Sequence, residues 1–187
     1  MRLYALCDQE LLDKYDFSVE EYIDIAKQHS AEIIQYRNKT SDIAFIKQQL
    51  VKIRKIYDGF LIVNDAYELV EFCDGVHVGQ EDLGLIDKDV EKAVKILRSV
   101  IGKDKILGIS THSEQEVLLA NVLDLNYIGL GAYRQTNTKD VGVVLGDTLE
   151  SIASKSQHPV AVIGGVRLND MFKNITYHVI GSGLIIK

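Results

Sequence analysis

Proline is almost absent from this chain. One proline and 14 glycines in 187 residues are too few for flexible linkers between several domains. The expectation is a single domain over residues 1–187, large enough to bury roughly 70% of its unfolded surface without a disulfide or metal staple. Cysteine is scarce too. Cys7 and Cys73 cannot build a disulfide framework and lack metal-ligand spacing, so they read as structural thiols in a reducing compartment. No apolar run reaches the length of a membrane span. The opening stretch MRLYALCDQELL meets Asp8 and Glu10 too early for a signal-peptide core. Positive charge is in the minority, with 21 Lys and Arg against 27 Asp and Glu, a net charge of −6 and a pI near 5.4. That balance argues against non-specific nucleic-acid binding. A nucleophile elbow, a P-loop and a dinucleotide fingerprint are also missing. A cytoplasmic protein with neither nucleic-acid nor membrane partners is expected.

What is present is a regular alternation. Short apolar runs at Arg2–Cys7, Glu32–Arg37, Phe60–Asn64, Gly75–Val78, Ile106–Ile109, Tyr127–Leu130, Val160–Ile163 and His178–Gly181 read as strands. Most are nearly continuous in apolar residues, as parallel strands buried on both faces should be. Between them, Val19–His29, Ile43–Tyr57, Asp87–Ile101, Glu114–Leu123 and Thr148–Ser156 carry helical spacing, with shorter turns at Ala66–Phe72 and Leu168–Lys173. Eight strands alternating with helices predict an α/β fold, a (β/α)8 TIM barrel. The chain is shorter than the roughly 250 residues usual for that fold. It reads as a shortened barrel lacking the final helix, and a doubly wound sheet is the structural alternative.

Polar residues follow the strands in a pattern that a barrel would bring to one mouth. Gln35, Arg37, Asn38 and Lys39 end the second strand; Asn64 and Asp65 end the third. Gly79 to Asp82 follow the fourth, Ser110 to His112 the fifth, Thr136 to Asp140 the sixth, Gly164-Gly165 the seventh and Gly181-Ser182-Gly183 the eighth. Loops are polar in any fold, so placement carries the argument. Asp65 and Asp82 would suit a hard cation such as Mg2+, which takes one or two carboxylates plus phosphate oxygens. Arg37, Lys39 and Lys139 could hold an anion beside it. Alternatively, these charges pair with one another as salt bridges of the barrel rim. The glycines after strands seven and eight lie where barrels hold a phosphate on backbone N–H groups. His112 reads as a proton shuttle or an exposed residue at a helix start, and His77 as an orienting or core histidine.

Seven runs in order, LYALCD, IIQYRNK, LIVND, DGVHVGQEDL, ILGISTHS, YIGLGAYRQTNTKD and VAVIGGV, resemble the thiamine phosphate synthase family, which includes the thiazole tautomerases. The resemblance covers nearly the whole chain; GVHVGQED and TNTK are its distinctive pieces. It implies a (β/α)8 barrel that joins an aminopyrimidine diphosphate to a thiazole phosphate with Mg2+, releasing diphosphate. Carried over by position, it implies that Gln35, Arg37, Lys39 and Asn64 contact the pyrimidine and its diphosphate. Asp65 and Asp82 would hold Mg2+, and Ser110 and Lys139 would complete the diphosphate site. Thr136, Thr138, Gly165 and Ser182 would hold the thiazole phosphate. Two departures stand out: the Gly131 to Thr136 run lacks both prolines usual there, and Tyr36 replaces a leucine.

Three functions follow from the resemblance. The first is the synthase, a transferase. The second is a tautomerase, an isomerase using His112; that branch typically loses both metal aspartates, which this chain keeps. The third is a non-catalytic barrel that binds thiamine precursors. The short stretch after strand eight also predicts exposed apolar groups there, such as Leu184 and Ile185, and a two-fold homodimer that covers them.

Overall fold

The computed structural model describes residues 2–135 and 143–186, so Thr136, Thr138 and Lys139 lie outside the described residues. Eight parallel strands close into a barrel in chain order: β1 (Leu3–Asp8), β2 (Ile33–Arg37), β3 (Phe60–Asn64), β4 (Gly75–Val78), β5 (Ile106–Thr111), β6 (Tyr127–Leu130), β7 (Val160–Val162) and β8 (Tyr177–Ile180). Closure comes from β8 against β1, with Leu3 opposite His178 and Ala5 opposite Ile180. The doubly wound alternative is thereby excluded.

Alternation along the strands sorts the core into two parts. Tyr4, Ile33, Ile62, Tyr127, Ala161 and Val179 point into the lumen and pack on one another. Their neighbours, such as Leu3, Ala5, Ile34, Leu61, Val63 and Leu107, point outward and pack under the helices. Two glycines make room for the large lumen groups. A Cβ on Gly108 would lie 2.2 Å from the Tyr127 ring, and one on Gly129 would lie 3.0 Å from Cε1 of His77.

The outer layer contains α1 (Gln9–Tyr15), α2 (Val19–Gln28), α3 (Ile43–Ile56), α4 (Gln80–Ile86), α5 (Val90–Ile101), α6 (Glu114–Ala120) and α7 (Leu149–Ala153). Capping side chains set the starts: Asp8 for α1, Ser18 with Glu21 in a capping box for α2, Asp42 for α3, Asp89 for α5 and Ser113 for α6. The expected helix over 87–101 starts later, at Val90, because Asp89 accepts the backbone N–H groups of Glu91 and Lys92. The expected helices at 114–123 and 148–156 are shorter, and 66–72 is a 3-10 helix over Tyr67–Phe72. The helical turn expected at 168–173 is not formed. There Asp170 is drawn to Arg134 and to the backbone N–H of Arg167, while Phe172 packs edge-on to Tyr133 and His178.

Of the apolar groups in the tail after β8, Ile186 is exposed, but the two expected to be so are covered. Leu184 is buried and Ile185 half-buried. Phe172 covers His178, and Tyr22 of α2 places its hydroxyl 2.8 Å from the Leu6 carbonyl and 3.3 Å from that of Ile180, pinning the closing seam. Leu184 therefore needs no second copy of the chain to cover it. Among the described residues, no helix is long and apolar enough to cross a membrane.

Candidate active site

Parallel closure carries the carboxyl ends of all eight strands to one mouth. At the end of β1, buried Asp8 caps α1 by accepting from the Leu11 N–H at 3.1 Å. Its other oxygen pairs with the Arg37 guanidinium at the end of β2. Beyond β2, the Lys39 ammonium lies between two carboxylates: it pairs with Asp65 and is 3.0 Å from Asp82. The rim pairing left open by the sequence is thus present. Burial opposes the Lys39 charge, but hydrogen bonds to Asp65 and Asp82 outweigh it and hold its pKa above the ordinary lysine value.

Asp65 sits in the left-handed region with φ of 60°, a conformation uncommon outside glycine, and it is fixed from several sides. Its N–H donates to the His77 carbonyl at 2.8 Å, and its Oδ1 accepts from the Gly79 N–H at 2.9 Å. Asn64 donates its side-chain amide to Oδ2. Asp82 arrives on the first turn of α4, and Gly79 leaves the gap between the two carboxylates clear. A Cβ there would lie 3.3 Å from Asp82 Oδ2 and 3.8 Å from Asp65 Oδ1. Among the described residues, no group of three or more His, Cys, Asp or Glu could enclose a metal. Two carboxylates converging on one cation could hold a hard ion only if other ligands completed its coordination.

The lumen floor beneath is polar. Gln35 Nε2 donates to the Tyr4 hydroxyl at 2.7 Å, which lies 2.8 Å from the Tyr127 hydroxyl. Tyr127 contacts His77 Nδ1 at 2.9 Å, and His77 Nε2 lies 3.0 Å from Ser110 Oγ. Burial, with a smaller contribution from the His112 charge, lowers the His77 pKa to about 4, so its ring is neutral. Buried in the lumen between Tyr127 and Ser110, His77 is compatible with both of its sequence readings, orienting or core. Cys7 and Cys73 are free, buried thiols whose pKa burial raises, as their structural reading requires.

A cleft of about 680 Å3 is lined by Asp8, Lys14, Arg134, Gly165, Arg167 and Ser182 among others. Gly165 adopts φ of 67°, and a Cβ there would meet Arg134 Cβ at 2.8 Å. Arg134 is held by both oxygens of Asp170, at 2.7 and 2.9 Å, and stacks on Tyr133. His112 donates its backbone N–H to the Glu116 carboxylate at 2.7 Å. A carbonyl can only accept, so its 2.8 Å contact with Gly131 O places a proton on Nδ1 and leaves Nε2 as the basic nitrogen.

The structure therefore brings Lys39, Asn64, Asp65 and Asp82 together, ties Gln35 to Ser110 through the lumen, and opens Gly165 and Ser182 onto one cleft. Sequence reasoning missed Asp8, although its position at the end of the first strand was the available signal. It also missed Tyr4, Tyr127 and the Arg134–Asp170 pair, which only the closed barrel brings into contact.

A family model described as thiamine monophosphate synthase matches residues 3–181. The chain is 36% identical to a thiamine-phosphate synthase of Persephonella marina over 182 residues, covering 92% of this chain and 82% of that one. It is 34% identical to a thiamine-phosphate synthase of Clostridium acetobutylicum, covering 98% and 85%. Among solved structures, a thiamine phosphate pyrophosphorylase from Pyrococcus furiosus superposes with a TM-score of 0.74 at 24% identity, covering 97% of this chain and 85% of that one. At that identity the superposition speaks for the fold.

Proposed function

The chain belongs to the thiamine monophosphate synthase family, and from that premise we propose that it joins hydroxymethylpyrimidine diphosphate to thiazole phosphate, releasing diphosphate. The observation that carries this reading is the convergence of Lys39, Asp65 and Asp82 on one point of the mouth, beside the Arg37–Asp8 pair. It is a site built to gather anionic oxygens around cations.

In the proposed reaction the bond between the pyrimidine methylene carbon and the diphosphate oxygen breaks, and the thiazole nitrogen lone pair forms the new C–N bond. No proton needs to move, so the protein's task is to stabilise the departing charge and align the two substrates. Arg37 and Lys39 would face the diphosphate, with Lys139 as a third cation. Ser110 would donate its hydroxyl to the same group. Gln35 and Asn64 would orient the pyrimidine, while Thr136, Thr138, Gly165 and Ser182 would seat the thiazole phosphate. Asp65 and Asp82 would hold Mg2+, which when bound neutralises charge on the leaving group. Lys39, the cation now between them, would be freed to meet the diphosphate.

A single-domain cytoplasmic enzyme acting on small molecules completes this reading. A homodimer belongs to it as well. Its support lies away from β8, in the exposed Ile96 and Val100 of α5 and Leu118 and Leu119 of α6, and light scattering would test it. The second reading, tautomerase, has one observation in its favour: the basic Nε2 of His112. The deciding experiment supplies purified protein with both synthase substrates and Mg2+. Thiamine phosphate and diphosphate formed in equal amounts support the proposal, and their absence sinks it.

A further inference from the structure

Five polar side chains cross the barrel lumen in one unbroken line of hydrogen bonds: Gln35, Tyr4, Tyr127, His77 and Ser110. Tyr4 is 1% exposed, Tyr127 3%, Gln35 5% and His77 8%, so water does not compete for the bonds among them, while the bond to Ser110 is partly buried. The two ends are residues proposed to touch substrate. The middle three have no role in the reaction described so far.

Counting protons fixes the direction of the line. Each tyrosine keeps its one hydroxyl proton, because burial raises both pKa values. An imidazole that accepts at one ring nitrogen carries its proton on the other. Gln35 donates to Tyr4, so the Tyr4 proton goes to Tyr127 and the Tyr127 proton to His77 Nδ1. The ring proton is then on Nε2 and is given to Ser110 Oγ. Ser110 accepts from inside the barrel and keeps its own proton for whatever occupies the mouth. Reversing the line with Gln35 unchanged would strand the Tyr4 proton in the dry interior, which costs stability. Only a half-turn of the Gln35 amide reverses it without loss, and Ser110 would then present lone pairs to the mouth.

We propose that Tyr4, Tyr127 and His77 are positioning residues that couple Gln35 to Ser110. With Gln35 Nε2 engaged by Tyr4, Oε1 is the atom left for a ligand's N–H, and in that same state Ser110 donates to an anion. This rests on the synthase reading, whose aminopyrimidine diphosphate offers an amine to one end and an acceptor-only group to the other. Recognition of the base thereby sets the polarity of a hydroxyl facing the leaving group.

The first test needs no substrate. Long-range 1H–15N spectra of the wild-type protein at neutral pH should show His77 with a bare Nδ1 and a protonated Nε2; a proton on Nδ1 overturns the proposed direction. The second test uses kinetics. Tyr127→Phe keeps the ring and removes one hydroxyl, and kcat/KM for the pyrimidine diphosphate should fall about tenfold, the worth of one well-placed hydrogen bond. Tyr4→Phe should fall similarly and serves if Tyr127→Phe does not fold. In a Ser110→Ala background the same changes should have no further effect, because the group they act through is gone. Equal losses in both backgrounds, or no loss in either, overturn the coupling. A wild-type protein without synthase activity would overturn the functional reading alone, and the His77 spectrum would then decide the line by itself.

Discussion

Asp8 and Arg37 are register partners at the mouth ends of β1 and β2, and the buried carboxylate of the first holds the guanidinium of the second. Asp8 is also the N-cap of α1. Replacing it with alanine removes both contacts and should cost about 1 kcal/mol for the cap alone. Asp8→Asn keeps a capping oxygen but loses the charge. The Asn variant should melt close to wild type while kcat/KM for the pyrimidine diphosphate falls about tenfold or more, from loss of a charge-assisted anchor. If Asp8→Asn and Asp8→Ala lose activity and stability in the same proportion, Asp8 serves the fold only.

The carboxylates of Asp65 and Asp82 converge on one cation. Asp82→Ala should remove Mg2+-dependent diphosphate release, a loss of about 100-fold or more given the several kcal/mol a metal contributes. Asp82 is partly exposed, so the melting temperature should hardly move. Normal turnover of this variant, followed as diphosphate against Mg2+ concentration, would show the metal assignment to be wrong.

Synthase and tautomerase chemistry separate at three side chains. A diphosphate exit should collapse on Arg37→Ala and Lys139→Ala and lose little on His112→Asn. Proton transfer would show the reverse, since His112 Nε2 is the available base. Assays of all three variants with both substrate sets decide between the two. Indifference to all three changes leaves only a non-catalytic barrel.

Burial of His77 should make the fold acid-sensitive. Its folded pKa of about 4 lies below the value of 6.5 for a free histidine, so the unfolded chain binds the extra proton between these limits. Stability is therefore fully present above about pH 6.5 and falls as pH drops toward 4, by on the order of 3 kcal/mol for this group. Chemical denaturation across that range should give His77→Gln a shallower acid limb than wild type. Parallel limbs would mean that His77 is not kept neutral by the fold.

The barrel was legible because parallel strands buried on both faces leave continuous apolar runs, and all eight appear within one residue of where those runs lie, except that β5 runs two residues further, to Thr111. α1 and α4 were not legible. Each follows directly on a polar strand end that reads as a loop, and α4 contains Gly84. The opposite error came at 168–173, where apolar spacing suggested a turn of helix but Asp170 is spent on Arg134 and Met171 is 88% exposed. At the site, spacing brought Asp65, Asp82 and Lys39 to one mouth. It could not say that Lys39 bridges the carboxylates, because strand order does not encode which way a lysine turns. The lumen line was hidden for a related reason: Tyr4 and Tyr127 are 123 positions apart and meet only across the closed barrel.

The segment after β6 is held by an ion pair. Where the resemblance expects prolines, this chain has Ala132 and Gln135, and Arg134 is latched to Asp170 beyond β7. A proline ring restrains the backbone by covalent geometry, which dissolved ions do not touch. An ion pair with a guanidinium 38% exposed is screened as ionic strength rises, within a distance of about 8 Å at physiological salt. The segment after β6 is thus tied to the segment after β7 by a restraint that the surrounding electrolyte can loosen.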